Sequence, residues 1–182
     1  MPNPIADLTI IRGPLLLGLC LILTACGFQL RGSTSATALP ESWKTLYLAT
    51  DNPNSEFSRE LKSRFSSNGI VWANKPDDAA YVLRLGPEHF SQRNLSINSN
   101  ARAAEYELTM RSSFSVSQPG NGKAVIPVTE ATIVKQMEND PSNVVGKAEE
   151  VRIIKGEMRI ELVQQILRRI GFFAANMTTA SN

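Results

Sequence analysis

Between residues 105 and 116 the chain alternates without a break. Tyr106, Leu108, Met110, Ser112, Phe114 and Val116 interleave with Glu105, Glu107, Thr109, Arg111, Ser113 and Ser115. Successive side chains of a strand point to opposite faces, so this spacing builds one buried face and one wet face. Wound as a helix, the same residues would scatter their apolar side chains around every side. Gln118-Pro119-Gly120-Asn121-Gly122 supplies a hairpin turn. The segment from Ala124 to Met137 reads as the returning strand, with Pro127 marking an edge or a bulge. A sheet that is wet on one side needs a cover on the other, and that cover has to come from elsewhere in the chain.

Two helical patterns can provide it. Phe57, Leu61 and Phe65 recur at helical spacing, with Glu56, Arg59, Glu60, Lys62 and Arg64 on the other faces. The turn Asp51-Asn52-Pro53-Asn54-Ser55 offers several N-caps, and Asn68-Gly69 offers a stop. A longer helix is expected from about Lys147 to Ile170. Its stripe is Val151, Ile154, Met158, Leu162, Ile166 and Ile170, widened by Val163 and Leu167. Gly171 is read as its end, with residues 174–182 a flexible tail. Strands are expected at Trp43 to Ala49, Ile70 to Ala73 and Ala80 to Leu85. Gly86-Pro87 interrupts the third, which resumes through Phe90 and Leu95-Ser96-Ile97 before the turn Asn98 to Arg102. The expected fold is therefore α+β: a two-layer sandwich with two helices on one face of a mixed, mostly antiparallel, four- to five-stranded sheet. A single domain is expected over 40–173, and no internal repeat is visible.

The chain starts differently. Gly13 to Ala25 is a run of thirteen uncharged residues containing Leu15-Leu16-Leu17-Gly18-Leu19-Cys20-Leu21-Ile22-Leu23. That is too short to cross about 30 Å of hydrocarbon as a helix. It suits the apolar region of a secretory signal peptide, with a short buried helix as the alternative. Leu23-Thr24-Ala25-Cys26 resembles the bacterial lipobox, which implies cleavage before Cys26 and acylation of its sulfur and its new amino group. Several acyl chains, at about 0.8 kcal/mol per buried CH₂, make a stable anchor. Residues 1–25 are then a leader, and 26–39 an acylated start and tether. The mature chain would keep no free thiol and no internal disulfide. Lipoproteins held at the inner membrane typically carry Asp after the acylated Cys. Gly27 in that place points to the outer membrane.

Composition narrows function. Lys plus Arg number 19 and Asp plus Glu 17, a formal charge of +2, which does not suit a strongly basic nucleic-acid binder. There is one His, His89, and two Cys, Cys20 and Cys26, with no metal-ligand spacing. An enzyme would have to be built on His89 alone, so no catalytic residue, metal or cofactor is expected beyond the lipid on Cys26. Gly120-Asn121-Gly122-Lys123 lacks the ending of a phosphate loop and opens a strand. Glu105 and Glu107 share a strand face and read as hydrophilic surface. Arg93, Arg102 and Lys147 are more suggestive, because cations at loop tips pair with phosphates, although the residues by themselves favour the alternative of solvated charges.

Several of these segments coincide in one family. Cys26-Gly27-Phe28-Gln29-Leu30-Arg31-Gly32 resembles the start of the mature LptE family of lipopolysaccharide-assembly lipoproteins. Leu39-Pro40, Lys44-Thr45-Leu46-Tyr47-Leu48, Ser58-Arg59, Asn68-Gly69, Ala104-Glu105-Tyr106 and the Asp140-Pro141 loop with Lys147 resemble its later landmarks in order. The resemblance runs from Cys26 to about Ile170. It implies a non-enzymatic outer-membrane subunit, one per LptD β-barrel. Such a subunit plugs the barrel, assists its assembly and binds lipopolysaccharide during insertion into the outer leaflet. Lys147 matches a family position associated with lipopolysaccharide binding. Ser99 stands where members often carry a basic residue, and Arg102 substitutes from nearby. An envelope-scaffold lipoprotein without a lipopolysaccharide role is the alternative.

Overall fold

The computed structural model describes residues 39–97, 103–139 and 144–180. The expected leader, Cys26, the expected tether to residue 38, the expected turn with Ser99 and Arg102, residues 140–143 and residues 181–182 lie outside the described residues. Among the described residues six strands form one sheet: β1 (Thr45–Ala49), β2 (Val71–Trp72), β3 (Tyr81–Leu85), β4 (His89–Ile97), β5 (Ala103–Ser117) and β6 (Ala124–Glu138). Two helices accompany them, α1 (Glu56–Ser66) and α2 (Val144–Ala180). The fold is α+β and mixed, as expected. β1 pairs in parallel with β2 and β3, and the remaining pairings are antiparallel.

The strand count exceeds the expected four to five for a physical reason. β3 and β4 both pair with the same side of β5. Leu85 lies opposite Phe114 and His89 opposite Arg111, so one long strand is broken at residues 86–88. Gly86 sits where a Cβ would collide with Ser113 Oγ. Its N–H donates to Ser113 O at 2.8 Å, and its carbonyl accepts from Ser112 Oγ at 3.0 Å. This explains the one polar member of the buried row: Ser112 is 1% exposed and satisfies a carbonyl left over by the break.

The alternation in β5 appears as read. Leu108, Met110, Ser112, Phe114 and Val116 are buried, and the interleaved residues are half-buried or exposed. The buried row faces Phe57, Leu61 and Phe65 of α1 and Met158, Leu162, Val163, Ile166, Leu167 and Ile170 of α2 in one core. Ser55 caps α1, its Oγ accepting from Ser58 N at 3.1 Å. Gly69, at φ +85°, turns the chain out of the helix. Trp43 belongs to a 3₁₀ turn before β1 rather than to the strand, and its ring stacks on Tyr81 at 4.0 Å.

Two boundaries differ from expectation. α2 starts at Val144, so Lys147 stands in its first turn and not in a preceding loop. Gly171 does not stop it. A helical glycine costs about 1 kcal/mol, but here Gly171 and Ala174 are both buried, and that packing carries the helix on to Ala180. Residues 174–180, read as tail, continue α2.

α2 also protects an edge. Among the described residues β6 pairs only with β5, which leaves an outer row of backbone groups to satisfy. Gln165 Oε1 accepts from Thr132 N at 3.1 Å, and Arg169 donates to Glu130 O at 2.6 Å. Helix side chains thus occupy the places a further strand would take.

Candidate functional site

Of the residues that sequence reading marked for phosphate, Lys147 lines a cleft at one end of the sheet. This open cleft of about 540 Å³ is lined by Ser96, Ala104, Glu105, Glu138, Asn139, Lys147 and Glu150. The ends of β4 and β5 form one wall, the end of β6 another, and the first turns of α2 the third. Lys147 Nζ donates to Tyr106 Oη at 2.9 Å and to Asn139 Oδ1, and it lies 4.1 Å from the centre of the Tyr106 ring. An ammonium carries three N–H groups, and these partners use two. The half-buried Tyr106 therefore holds the cation by both its ring and its hydroxyl.

The rest of the cleft is acidic. Glu105 lies opposite Glu138 in the β5–β6 register, an arrangement that costs some stability. Ser96 Oγ relieves part of it by donating to Glu105 Oε2 at 2.8 Å. Arg93 is not available to the cleft, since it makes a two-pronged pair with Glu107 at 2.7 and 2.9 Å. That hydrogen bond holds the Glu107 carboxyl below its ordinary value, against the opposing effect of desolvation. Arg102, the other candidate, lies outside the described residues; it is bonded in sequence to Ala103, where β5 starts at this end.

Other marked residues sit elsewhere. His89 is exposed on β4, opposite Arg111. Among the described residues, no group of three or more His, Cys, Asp or Glu could hold a metal ion. Among them too, no helix is long and apolar enough to cross a membrane. The uncovered face of β5 carries Glu107, Thr109, Arg111, Ser113 and Ser115, a polar surface rich in hydroxyl groups.

Sequence reading missed two features. One is the role of Tyr106, which the sequence marks as a member of the alternating row and a family landmark, while nothing local pairs it with a lysine 41 residues away. The second is an ion cluster. Arg159 of α2 grips Glu88, in the β3–β4 break, at 2.6 and 2.9 Å and reaches Glu56 of α1 at 2.7 Å. It ties the two helices to the break in the sheet.

A family model described as LptE, lipopolysaccharide-assembly, matches residues 43–170. The chain belongs to the LptE family. The match spans all six strands, α1 and the packed face of α2 as far as Ile170, which includes the Lys147 cleft. The LPS-assembly lipoprotein LptE of Yersinia pestis (strain Pestoides F) is 29% identical over 161 residues, 86% of this chain and 73% of the relative. The LptE of Yersinia pseudotuberculosis serotype O:1b (strain IP 31758) matches equally. Among solved structures, rare lipoprotein B of Shewanella oneidensis superposes with a TM-score of 0.66 at 26% identity. That likeness covers 74% of this chain and 98% of the other. A lipoprotein B of Nitrosomonas europaea gives 0.67 at 21% identity over 82% and 93%, a likeness of fold. Family membership makes this a lipoprotein of lipopolysaccharide assembly and outer-membrane biogenesis.

Proposed function

We propose that this LptE-family lipoprotein is anchored in the outer membrane by acylated Cys26 and works there as the non-catalytic plug of an LptD β-barrel, one copy per barrel. It assists the barrel's assembly and binds lipopolysaccharide as it passes to the outer leaflet. The observation that carries the reading is the family match over 43–170, joined to a sheet whose open face is polar. The lumen of a large barrel is wet, so a hydroxyl-rich face suits it and an apolar one would not.

Lipopolysaccharide binding is assigned to the Lys147 end, with Arg102 as second cation. Tyr106 and Asn139 fix the ammonium and leave one N–H for a phosphate oxygen. The neighbouring Glu105, Glu138 and Glu150 repel a phosphate, so Lys147 needs company. The test is the pair Lys147→Asp and Arg102→Asp in the full mature chain. Lipopolysaccharide binding should fall while barrel association persists. Unchanged affinity for lipopolysaccharide refutes the residue assignment. Depletion of the protein without loss of surface lipopolysaccharide would favour a scaffold role instead.

A further inference from the structure

The far end of α2 carries an exposed apolar cluster that the plug reading does not use. Phe172 is 66% exposed, Met177 45% and Phe173 36%, and the two phenyl rings meet edge to face at 6.2 Å. Arg168, one turn before, is exposed as well. No Asp or Glu occurs between Glu161 and residue 182, so the charged side chains over 162–182 are Arg168 and Arg169. Aromatic and thioether side chains beside arginine, with no acidic side chain in the segment, match the chemistry of an anionic bilayer surface.

The topology places this cluster. α2 runs along β6 towards that strand's beginning: Lys135 pairs with Glu157 and Glu161, Thr132 with Gln165, and Glu130 with Arg169. From Arg169 to Met177 the helix advances about 12 Å. From Glu130 back to Ala124 the strand covers about 20 Å. The cluster therefore lies beside the first half of β6, level with about residues 126–129. Ala124 is opposite Ser117, Ser117 is opposite Val82, and Val82 is opposite Tyr47, near the start of β1. This is the end at which the chain from Cys26 joins the domain. The Lys147 cleft is at the other end.

We infer that Phe172, Phe173, Met177 and Arg168 form a second, reversible contact with the lipid surface to which the tether is anchored. An acyl anchor on a tether of small polar residues fixes distance but not orientation. A helix end that dips aromatic rings between headgroups fixes which end of the domain faces the bilayer, and so points the Lys147 cleft away from it. The occupant is a bilayer containing anionic lipid. The inference rests on the reading of Cys26 as the anchor.

The mature chain offers a clean experiment, because acylated Cys26 leaves no competing thiol. A Met177→Cys chain, acylated and labelled with an environment-sensitive fluorophore, is reconstituted on vesicles of phosphatidylethanolamine and phosphatidylglycerol carrying spin-labelled acyl chains. A Val134→Cys chain, labelled at mid-strand of β6, is the control. Quenching at 177 well above that at 134 is expected. Phe172→Ser with Phe173→Ser should bring it down to the control level. Arg168→Glu should reduce it on these vesicles and not on purely zwitterionic ones. A chain that floats with the vesicles while 177 reads like 134 overturns this contact and leaves the anchor standing. A chain that does not float at all overturns both. Burial of the 177 probe that grows with protein concentration in lipid-free detergent assigns the cluster to a second copy and overturns the inference. So does burial that requires an added β-barrel protein.

Discussion

Removing Arg159 should be the most damaging single change to a polar side chain in this domain. Its side chain is 18% exposed and that of Glu88 is 17%, whereas Glu56 is 68% exposed. The two bonds to Glu88 are short and parallel, a two-pronged pair of charged groups away from bulk water. A charge-assisted hydrogen bond contributes about 1.5–3 kcal/mol, and an exposed pair such as the one to Glu56 contributes about 0–1. Arg159→Ala also leaves the Glu88 carboxylate without its partner in a half-buried site. Taken together the loss should be about 3 kcal/mol, at the low end of the range for fully buried pairs because some water reaches this one. For a domain of this size that is on the order of 10 °C in Tm. The assay is urea unfolding of Arg159→Ala, Glu88→Gln, Glu56→Ala and the Arg159→Ala/Glu88→Gln double variant. Glu56→Ala should cost under about 1 kcal/mol. The double variant should cost clearly less than the sum of the singles, because removing both charges leaves neither stranded. Additive singles, or a Glu56→Ala loss as large as that of Glu88→Gln, would refute the argument.

Three further outcomes follow from the same geometry. Gln165→Ala with Arg169→Ala should expose the outer edge of β6, cost about 1 kcal/mol per lost bond, speed amide exchange at Thr132 and promote aggregation seen by light scattering. Ser112→Ala should lose about 1–2 kcal/mol by stranding the Gly86 carbonyl, a cost that Ala at the exposed Ser91 should not share when both are unfolded in urea. Glu107 and Glu149 are both held below the ordinary glutamate value of 4.5, chiefly by hydrogen bonds from Arg93 and Arg152. A depressed carboxylate stabilises the fold above its unfolded pKa and loses that effect as pH falls through the folded one. Stability should thus decline on acidification below about 4.5, and an Arg93→Gln/Arg152→Gln chain should show a shallower decline in acid titrations of Tm.

What could be read from the chain was whatever depends on local period. The two-residue repeat of β5 places every buried and every wet side chain from Glu107 to Val116. The spacing of Phe57, Leu61 and Phe65 picks the buried face of α1, and Met158 to Ile170 does the same for α2. Ser55 and Gly69 delimit α1 by capping chemistry that acts within a few residues. What could not be read depends on partners far along the chain. Gly171 looks like a stop until the core it packs against is known. Lys147 looks like a loop cation until Tyr106 and Asn139 are beside it, and Gln165 and Arg169 look like solvated surface until an unpaired strand edge runs below them. Arg159 and Glu88 are 71 residues apart and carry no mutual signal. The expectations for residues 1–25 and Cys26 rest on a linear pattern rather than on a structural period, and they lie outside the described residues.

The central claim is that the open, polar face of the sheet lies against the inside of a β-barrel. The direct measurement is site-specific photocrosslinking in intact cells from Thr109 or Ser113 of β5. A probe at Phe172 on the far end of α2 and a probe in the buried row at Met110 serve as comparisons. The account predicts one dominant crosslinked product from Thr109 and Ser113, a one-to-one adduct with the LptD barrel that maps to lumen-facing strand positions. Crosslinks from that face only to periplasmic proteins or to a second copy of this chain, with the protein running as a free monomer in outer-membrane detergent extracts, would contradict it.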